Sequence, residues 1–318
     1  MRNPGTRWPG YAPWAETVFD CRREFVRVAR SFWLIPEIIP RVARDDVALL
    51  YCFCRQLDDA VDEASDAEQA RTALGRWRGE LSGEAPPRPL IAAFLAGVPR
   101  NGLPLECADH LLDGLESDLG VVRMADDGAL LRYAYRVSSS VGLMLAPLLG
   151  VRGPKAEHRV VDLGIALQLS NILLGVRGDA RRGRVYLPAT RLAAAGLQAD
   201  EVLRAPGDRR LLPVLQALAE LADRYYRSAA LGAALVPLRY RHGVLLLGRV
   251  YGGLGWQAAL GGAAPDSPGQ LPFMTKALHL AELVSTAWHP RTLGFAQAPP
   301  HDPALHRAIA GWRGANPP

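Results

Sequence analysis

Lysine is almost missing from this sequence, cysteine is sparse, and almost nothing in it alternates with the period of a β-strand. Lys155 and Lys276 are the only lysines in 318 residues, so arginine carries nearly all the positive charge behind a net +5. The arginines are scattered among acids, not gathered into a basic stripe with interleaved aromatics, which argues against a nucleic-acid partner. Their one compact cluster, Arg181, Arg182 and Arg184, suits bidentate contact with a small phosphorylated ligand. The same excess suits peripheral contact with an anionic membrane. The four cysteines contain no C-x-x-C pair, and Cys52 and Cys54 point to different faces of a helix, so free thiols in a reducing compartment are expected. No uninterrupted run of eighteen apolar residues occurs, so no membrane-spanning helix is expected. Met1 to Trp14 lacks an apolar signal core, and a cytoplasmic location follows as the expectation. The seven histidines lack an H-E-x-x-H spacing, and no nucleophile elbow, Walker A or dinucleotide glycine motif is present.

What remains is helical. About half the residues are apolar and 22% are charged, the balance of a globular chain. Apolar residues recur with helical period near 15–33, 41–64, 66–82, 104–119, 127–149, 156–180, 208–235, 238–261 and 271–287. Ser65-Asp66-Ala67-Glu68 has the S-x-x-E form of a capping box and predicts a helix start at Ser65. Gly83–Pro89 and Gly262–Gly269 have loop composition, and the proline-rich tail from Pro290 is expected to be loosely held. A single all-α domain with a core over about residues 15–290 is the expected architecture.

Two polar stripes stand out. Tyr51, Arg55, Asp58 and Asp62 step by four, three and four, so they share one face of a helix. Asp58, Asp59, Asp62 and Glu63 crowd the carboxyl end of that helix, where the macrodipole disfavours negative charge by about 0.3–1 kcal/mol each. A solvated acidic end is one explanation; a hard divalent cation bridging to phosphate oxygens is the other. Gln168, Asn171, Gly175 and Asp179 form a second stripe, followed by the basic loop Arg181 to Pro188. Buried unpaired amides cost about 1–3 kcal/mol, so Gln168 and Asn171 need partners or an open face. A third segment, Tyr133 to Gly142, gathers small residues, which permits close approach by a helix or by a hydrocarbon ligand.

In this order the segments resemble the squalene/phytoene synthase family. Ser31-Phe32-Trp33 is similar to its early S-F-[YW] element, and Tyr51 to Glu63 to its first D-x-x-x-D helix. Asp113 to Leu119 resembles G-M-E-x-D-L, Tyr133 to Gly142 resembles Y-x-Y-x-V-A-G-T-V-G, and Gly164 to Leu173 with Asp179 to Pro188 resembles the second aspartate region. The likeness runs from about residue 25 to 290. It implies an all-α isoprenoid synthase fold around a deep cavity, with two prenyl diphosphates (farnesyl or geranylgeranyl) joined head to head. It further implies Mg²⁺ held by Asp58, Asp59, Asp62 and Asp179, and catalytic roles for Tyr51, Arg55, Tyr186 and Tyr251. Ser31, Phe32, Tyr133, Val137, Gly142, Gln168, Asn171 and Arg184 become its substrate-binding positions.

The second aspartate region departs from that pattern. Where the family reads R-D-V-x-E-D, this chain reads Leu174-Gly175-Val176-Arg177-Gly178-Asp179. Two acids and one arginine are lost from that wall, and each glycine weakens the helix by about 1 kcal/mol relative to alanine. Three outcomes fit: a head-to-head synthase working with fewer metal ligands, a prenyl-diphosphate enzyme with a different acceptor, or a paralogue that binds a prenyl ligand or regulates a partner synthase.

Overall fold

The computed structural model describes residues 14–29, 43–261 and 298–317. Ser31, Phe32, Lys276 and the helix expected at 271–287 lie outside the described residues. Among the described residues, twelve α-helices and no strand occur: α1 Ala15–Ala29, α2 Arg44–Asp62, α3 Ala67–Ser82, α4 Pro89–Asn101, α5 Glu106–Ser117, α6 Asp127–Ala134, α7 Ser140–Leu148, α8 Pro154–Arg181, α9 Ala189–Ala194, α10 Ala199–Arg204, α11 Leu212–Leu231 and α12 Leu238–Ala259. The only extended pairing in this set is an isolated bridge between Arg123 and Val185. One hydrophobic core runs through nearly every element, from Val18 to Ile309.

α8 is the central helix, packed against α7, α11 and α12. By length and composition it could cross a membrane, but 61% of its apolar window is buried inside the protein. The chain enters it through Gly153, at φ 93°, with Pro154 in the first turn, where a missing N–H costs nothing.

Several sequence expectations shift. The start of α3 is capped one residue later than Ser65: Asp66 Oδ1 accepts from Gln69 N at 2.8 Å, and Gln69 Oε1 accepts from Ser65 N at 2.6 Å. Asp66 is therefore the N-cap in place of Ser65, a carboxylate being a strong acceptor there, and Gln69 reaches back one residue further to the Ser65 N–H. α4 is missing from the periodic pattern because Pro99 and Gly97 interrupt its last turns. The helix expected over 127–149 is broken by a π-helical turn, Tyr135–Ser139, between α6 and α7.

That turn marks where α8 crosses. A Cβ on Gly164 would lie 2.5 Å from Ser139 Cα, and Ser139 Oγ donates to Val161 O at 2.8 Å. Gly164→Ala should therefore cost about 3 kcal/mol, since backbone meets backbone there and overpacking outweighs the helix propensity gained. A denaturation midpoint equal to wild type would contradict this contact.

The tail expectation is overturned for residues 298–317. A 3₁₀ helix, Pro303–Ile309, and the residues around it are docked on the bundle. Tyr225 Oη donates to Leu305 O at 2.6 Å and Tyr135 Oη to Arg313 O at 2.7 Å. Trp312 stacks on His110 at 4.9 Å, and Arg313 pairs with Glu157 at 2.9 Å. Proline here fixes the path of a packed segment; it does not signal a loose one.

Candidate active site

The first acidic stripe lies where α2 ends, with no basic residue in its last turn. Arg55 forks onto Asp59, with Nη2 2.8 Å from Oδ1 and Nε 3.2 Å from Oδ2, so the expected catalytic arginine holds an expected metal ligand. Tyr51 is half-buried, its ring edge-on to Phe25 at 5.6 Å. Asp58 and Asp62 keep solvent contact. Protein crowded around Asp58 nevertheless raises its carboxyl to about 6, with the Asp62 charge adding to burial and Arg55 opposing it. Like charges held that close invite a cation.

The second stripe faces the same way along α8. Gln168 is half-buried and Asn171 exposed, and their mutual contact is a long 3.5 Å. Asp179 is raised to about 6 by burial, with Arg182 and Arg184 pulling it down and Asp118 pushing it up. A Cβ on Gly175 would meet Asp179 Oδ2 at 2.9 Å, so the Asp179 carboxylate folds back over the glycine, into space that a side chain there would take.

Between the stripes lies a residue the sequence reasoning quoted in passing and did not assign. Asp118, just beyond α5, accepts from Tyr133 Oη and from Tyr186 Oη, each at 2.8 Å. The two tyrosine rings stack at 4.8 Å. Burial raises the Asp118 carboxyl, its two tyrosine hydrogen bonds and Arg184 lower it, and Asp62 raises it again. Burial opposes the charge on Arg184, yet Asp118 and Asp62 help hold its pKa above the ordinary value. Burial also raises both tyrosines, so at neutral pH they stay protonated and act as donors. Asp62, Asp118, Arg184 and Asp179 thus share one electrostatic neighbourhood, which links the carboxyl ends of the two stripes. The spacing Tyr133-x-Tyr135 and the Asp118 segment carried that signal only as family likeness; the contact itself spans sequence separations of 15 and 68 residues.

Val137 and Gly142 are half-buried and each meets a neighbouring helix. Val137 Cγ1 lies 2.6 Å from where a Cβ on Gly114 would be, and Gly142 faces Val160 of α8 at 3.2 Å on the same measure. The small residues of that segment therefore admit a helix. Tyr251 is half-buried on α12, its hydroxyl pKa raised by burial.

Residues 25–259 match the profile described as squalene/phytoene synthase. The chain belongs to the squalene/phytoene synthase family. It is 36% identical over 276 residues to a phytoene synthase of Cereibacter sphaeroides, a match covering 82% of this chain and 77% of that one. It is 31% identical over 252 residues to a presqualene diphosphate synthase of Rhodopseudomonas palustris, covering 77% and 90%. A dehydrosqualene synthase solved in complex with ligand shares the fold, with a TM-score of 0.72, 22% identity, and coverage of 87% of this chain and 98% of that one. This squalene/phytoene synthase-type chain is accordingly a prenyltransferase of isoprenoid and carotenoid biosynthesis, and its fold is the all-α isoprenoid synthase bundle.

Proposed function

We propose that this squalene/phytoene synthase-type chain condenses two prenyl diphosphates head to head, with Mg²⁺ drawn to Asp58 and Asp62 and diphosphate drawn to Arg184. What supports this reading is the electrostatic coupling that runs from Asp58 through Asp62 and Asp118 to Asp179 and Arg184. The donor set fits a hard cation: oxygen ligands only, crowded, with Asp58 and Asp179 held near 6 by burial. When bound, the metal supplies Lewis-acid assistance to departure of the diphosphate.

The protein's own residues do the rest. Arg184 adds a fixed charge opposite the acids. Tyr133 and Tyr186 donate hydrogen bonds to Asp118, which leaves their oxygen lone pairs to face a developing allylic cation. Gln168 and Asn171 line the second wall, and Tyr251 adds a half-buried hydroxyl and ring from α12. Asp179, resting over Gly175, is the single acid left from the second motif and takes a metal from that side. A cytoplasmic enzyme meeting its long-chain product at a membrane surface is consistent with the arginine excess.

Purified protein given Mg²⁺ and farnesyl or geranylgeranyl diphosphate should release pyrophosphate and form a hydrocarbon of doubled carbon number. Pyrophosphate without that product would point to a different acceptor; neither, in folded protein, would leave only a ligand-binding role. The Gly175→Asp, Leu174→Arg double variant should raise the rate about tenfold, because Asp179 is the flexible end of a side chain and can swing off the new Cβ. Steady-state pyrophosphate release checks this, and no gain would mean that the second wall works without those groups.

A further inference from the structure

A second cluster of ligand-type side chains lies where the carboxyl-terminal segment meets α8, far from the acids just described. Asp162 is completely buried on α8, and two imidazoles from residues 298–317 converge on its carboxylate. His301 Nε2 lies 3.2 and 3.0 Å from Oδ1 and Oδ2, and His306 Nε2 lies 3.2 Å from Oδ1. The His301 and His306 rings are 4.2 Å apart, and His158, one α8 turn before Asp162, has its ring 5.1 and 5.7 Å from them. Asp162 and Asp179 are seventeen residues apart on one helix, about 25 Å at 1.5 Å per residue.

Hydrogen bonds alone leave this cluster incomplete. The Asn316 backbone N–H donates to His306 Nδ1 at 3.2 Å, which puts the proton of a neutral His306 on Nε2, facing Asp162. Ser228 Oγ donates to Asp162 Oδ2 at 2.7 Å, so the carboxylate is well supplied. Yet His301 Nδ1 and Asn316 Oδ1 are buried with no partner among the described residues. Each such orphan costs about 1–3 kcal/mol.

The spacing of the ligand atoms also fits a cation. A tetrahedral zinc with bonds near 2.0–2.1 Å separates its ligand atoms by about 3.3 Å, and the Nε2-to-carboxylate distances here are 3.0 and 3.2 Å. With the Nε2 lone pairs on a metal, the ring protons move to Nδ1. At His306 that proton meets the Asn316 N–H, so binding requires Asn316 to turn its orphan Oδ1 toward Nδ1. His158 stays outside the ligand group, its Nδ1 3.0 Å from Gly314 O and its ring packed beside the other two imidazoles. Arg159, 3.8 Å from Asp162, opposes added positive charge, but its guanidinium is held by Ser228 and by the Pro299 and Pro300 carbonyls. Imidazole-rich sites of this kind favour zinc over the hard cations that suit an all-oxygen site.

We propose that Asp162, His301 and His306 bind one zinc-type divalent cation that clasps residues 298–317 to α8, the fourth position being left to a water. The cation braces the helix that carries Gln168, Asn171 and Asp179, without entering the reaction. The proposal stands independently of the active-site reading.

The test uses untagged full-length protein, stripped on a chelating resin and equilibrated with micromolar zinc in millimolar magnesium. Zinc measured by plasma mass spectrometry should reach about one per chain in the wild type and in an Asp58→Ala, Asp62→Ala double variant. It should fall to background in His301→Ala and in His306→Ala. Cobalt should give the intense visible bands of a tetrahedral nitrogen-and-oxygen site, and zinc should raise the wild-type Tm by several degrees, a readout that needs no variant to fold. Folded wild type that retains no zinc and whose Tm ignores it would overturn the proposal, leaving a hydrogen-bonded cluster only. Zinc retained equally by both histidine variants would overturn it as well.

Discussion

Asp62→Ala should slow Mg²⁺-dependent pyrophosphate release by about a thousandfold, and Asp58→Ala by a similar factor. A metal acting on a leaving group contributes several kcal/mol, and about 4 kcal/mol corresponds to three powers of ten in rate. Both acids sit at the carboxyl end of α2, where neither the dipole nor a basic residue stabilises them. Removing either should therefore leave stability unchanged or slightly raised. This pairing of lost rate with retained Tm separates a functional acid from a structural one. Proton competition gives a further check. Asp58 and Asp179 have pKa values raised to about 6, so both favour the protonated state more in the folded chain than in the unfolded one. Their contribution to stability is present below about pH 4 and lost as pH rises through 6, while metal affinity runs the other way. The apparent magnesium requirement should thus climb steeply as pH falls below 6. Wild-type rates from either alanine variant would remove the first motif from the mechanism.

Asp118→Asn should lower kcat by about a hundredfold, a loss near 2.7 kcal/mol. The substitution keeps the shape of the side chain but removes the charge that faces Arg184 and accepts from two phenols. Hydrogen bonds to a charged group are worth about 1.5–3 kcal/mol, roughly twice a neutral one. With an amide in place of the carboxylate, one tyrosine hydroxyl turns round and its lone pairs no longer face the site. Asp118→Ala should go further and destabilise the fold, since it strands both hydroxyls. If Asp118→Asn retained a rate within threefold of wild type while Asp118→Ala unfolded readily, Asp118 would be a structural anchor for the stacked tyrosines and nothing more.

The sequence alone determined the helical class and the two acid-bearing stripes. Helical period and i, i+4 spacing are local properties, so Asp58 with Asp62 on α2, and Gln168 with Asn171 and Asp179 on α8, follow from one stretch of chain each. The same locality explains the misses. α4 carries proline and glycine near its end, and a local reading counts both as breakers although core burial of Leu90, Ile91 and Phe94 holds the helix. The small residues from Tyr133 to Gly142 fitted a helix or a hydrocarbon equally; the crossing of α8 at Ser139 and Gly142 supplies the helix.

Tertiary structure alone decided three things. It joined Asp118 to Tyr133 and Tyr186. It laid the proline-rich tail on the bundle. It also brought His158, His301 and His306 together from positions that looked dispersed, the tail histidines lying 139 and 144 residues from Asp162. The reason in each case is the same. A contact across such a separation is set by how packed helices bring distant segments together, and one stretch of residues carries no record of the partner that packing will supply.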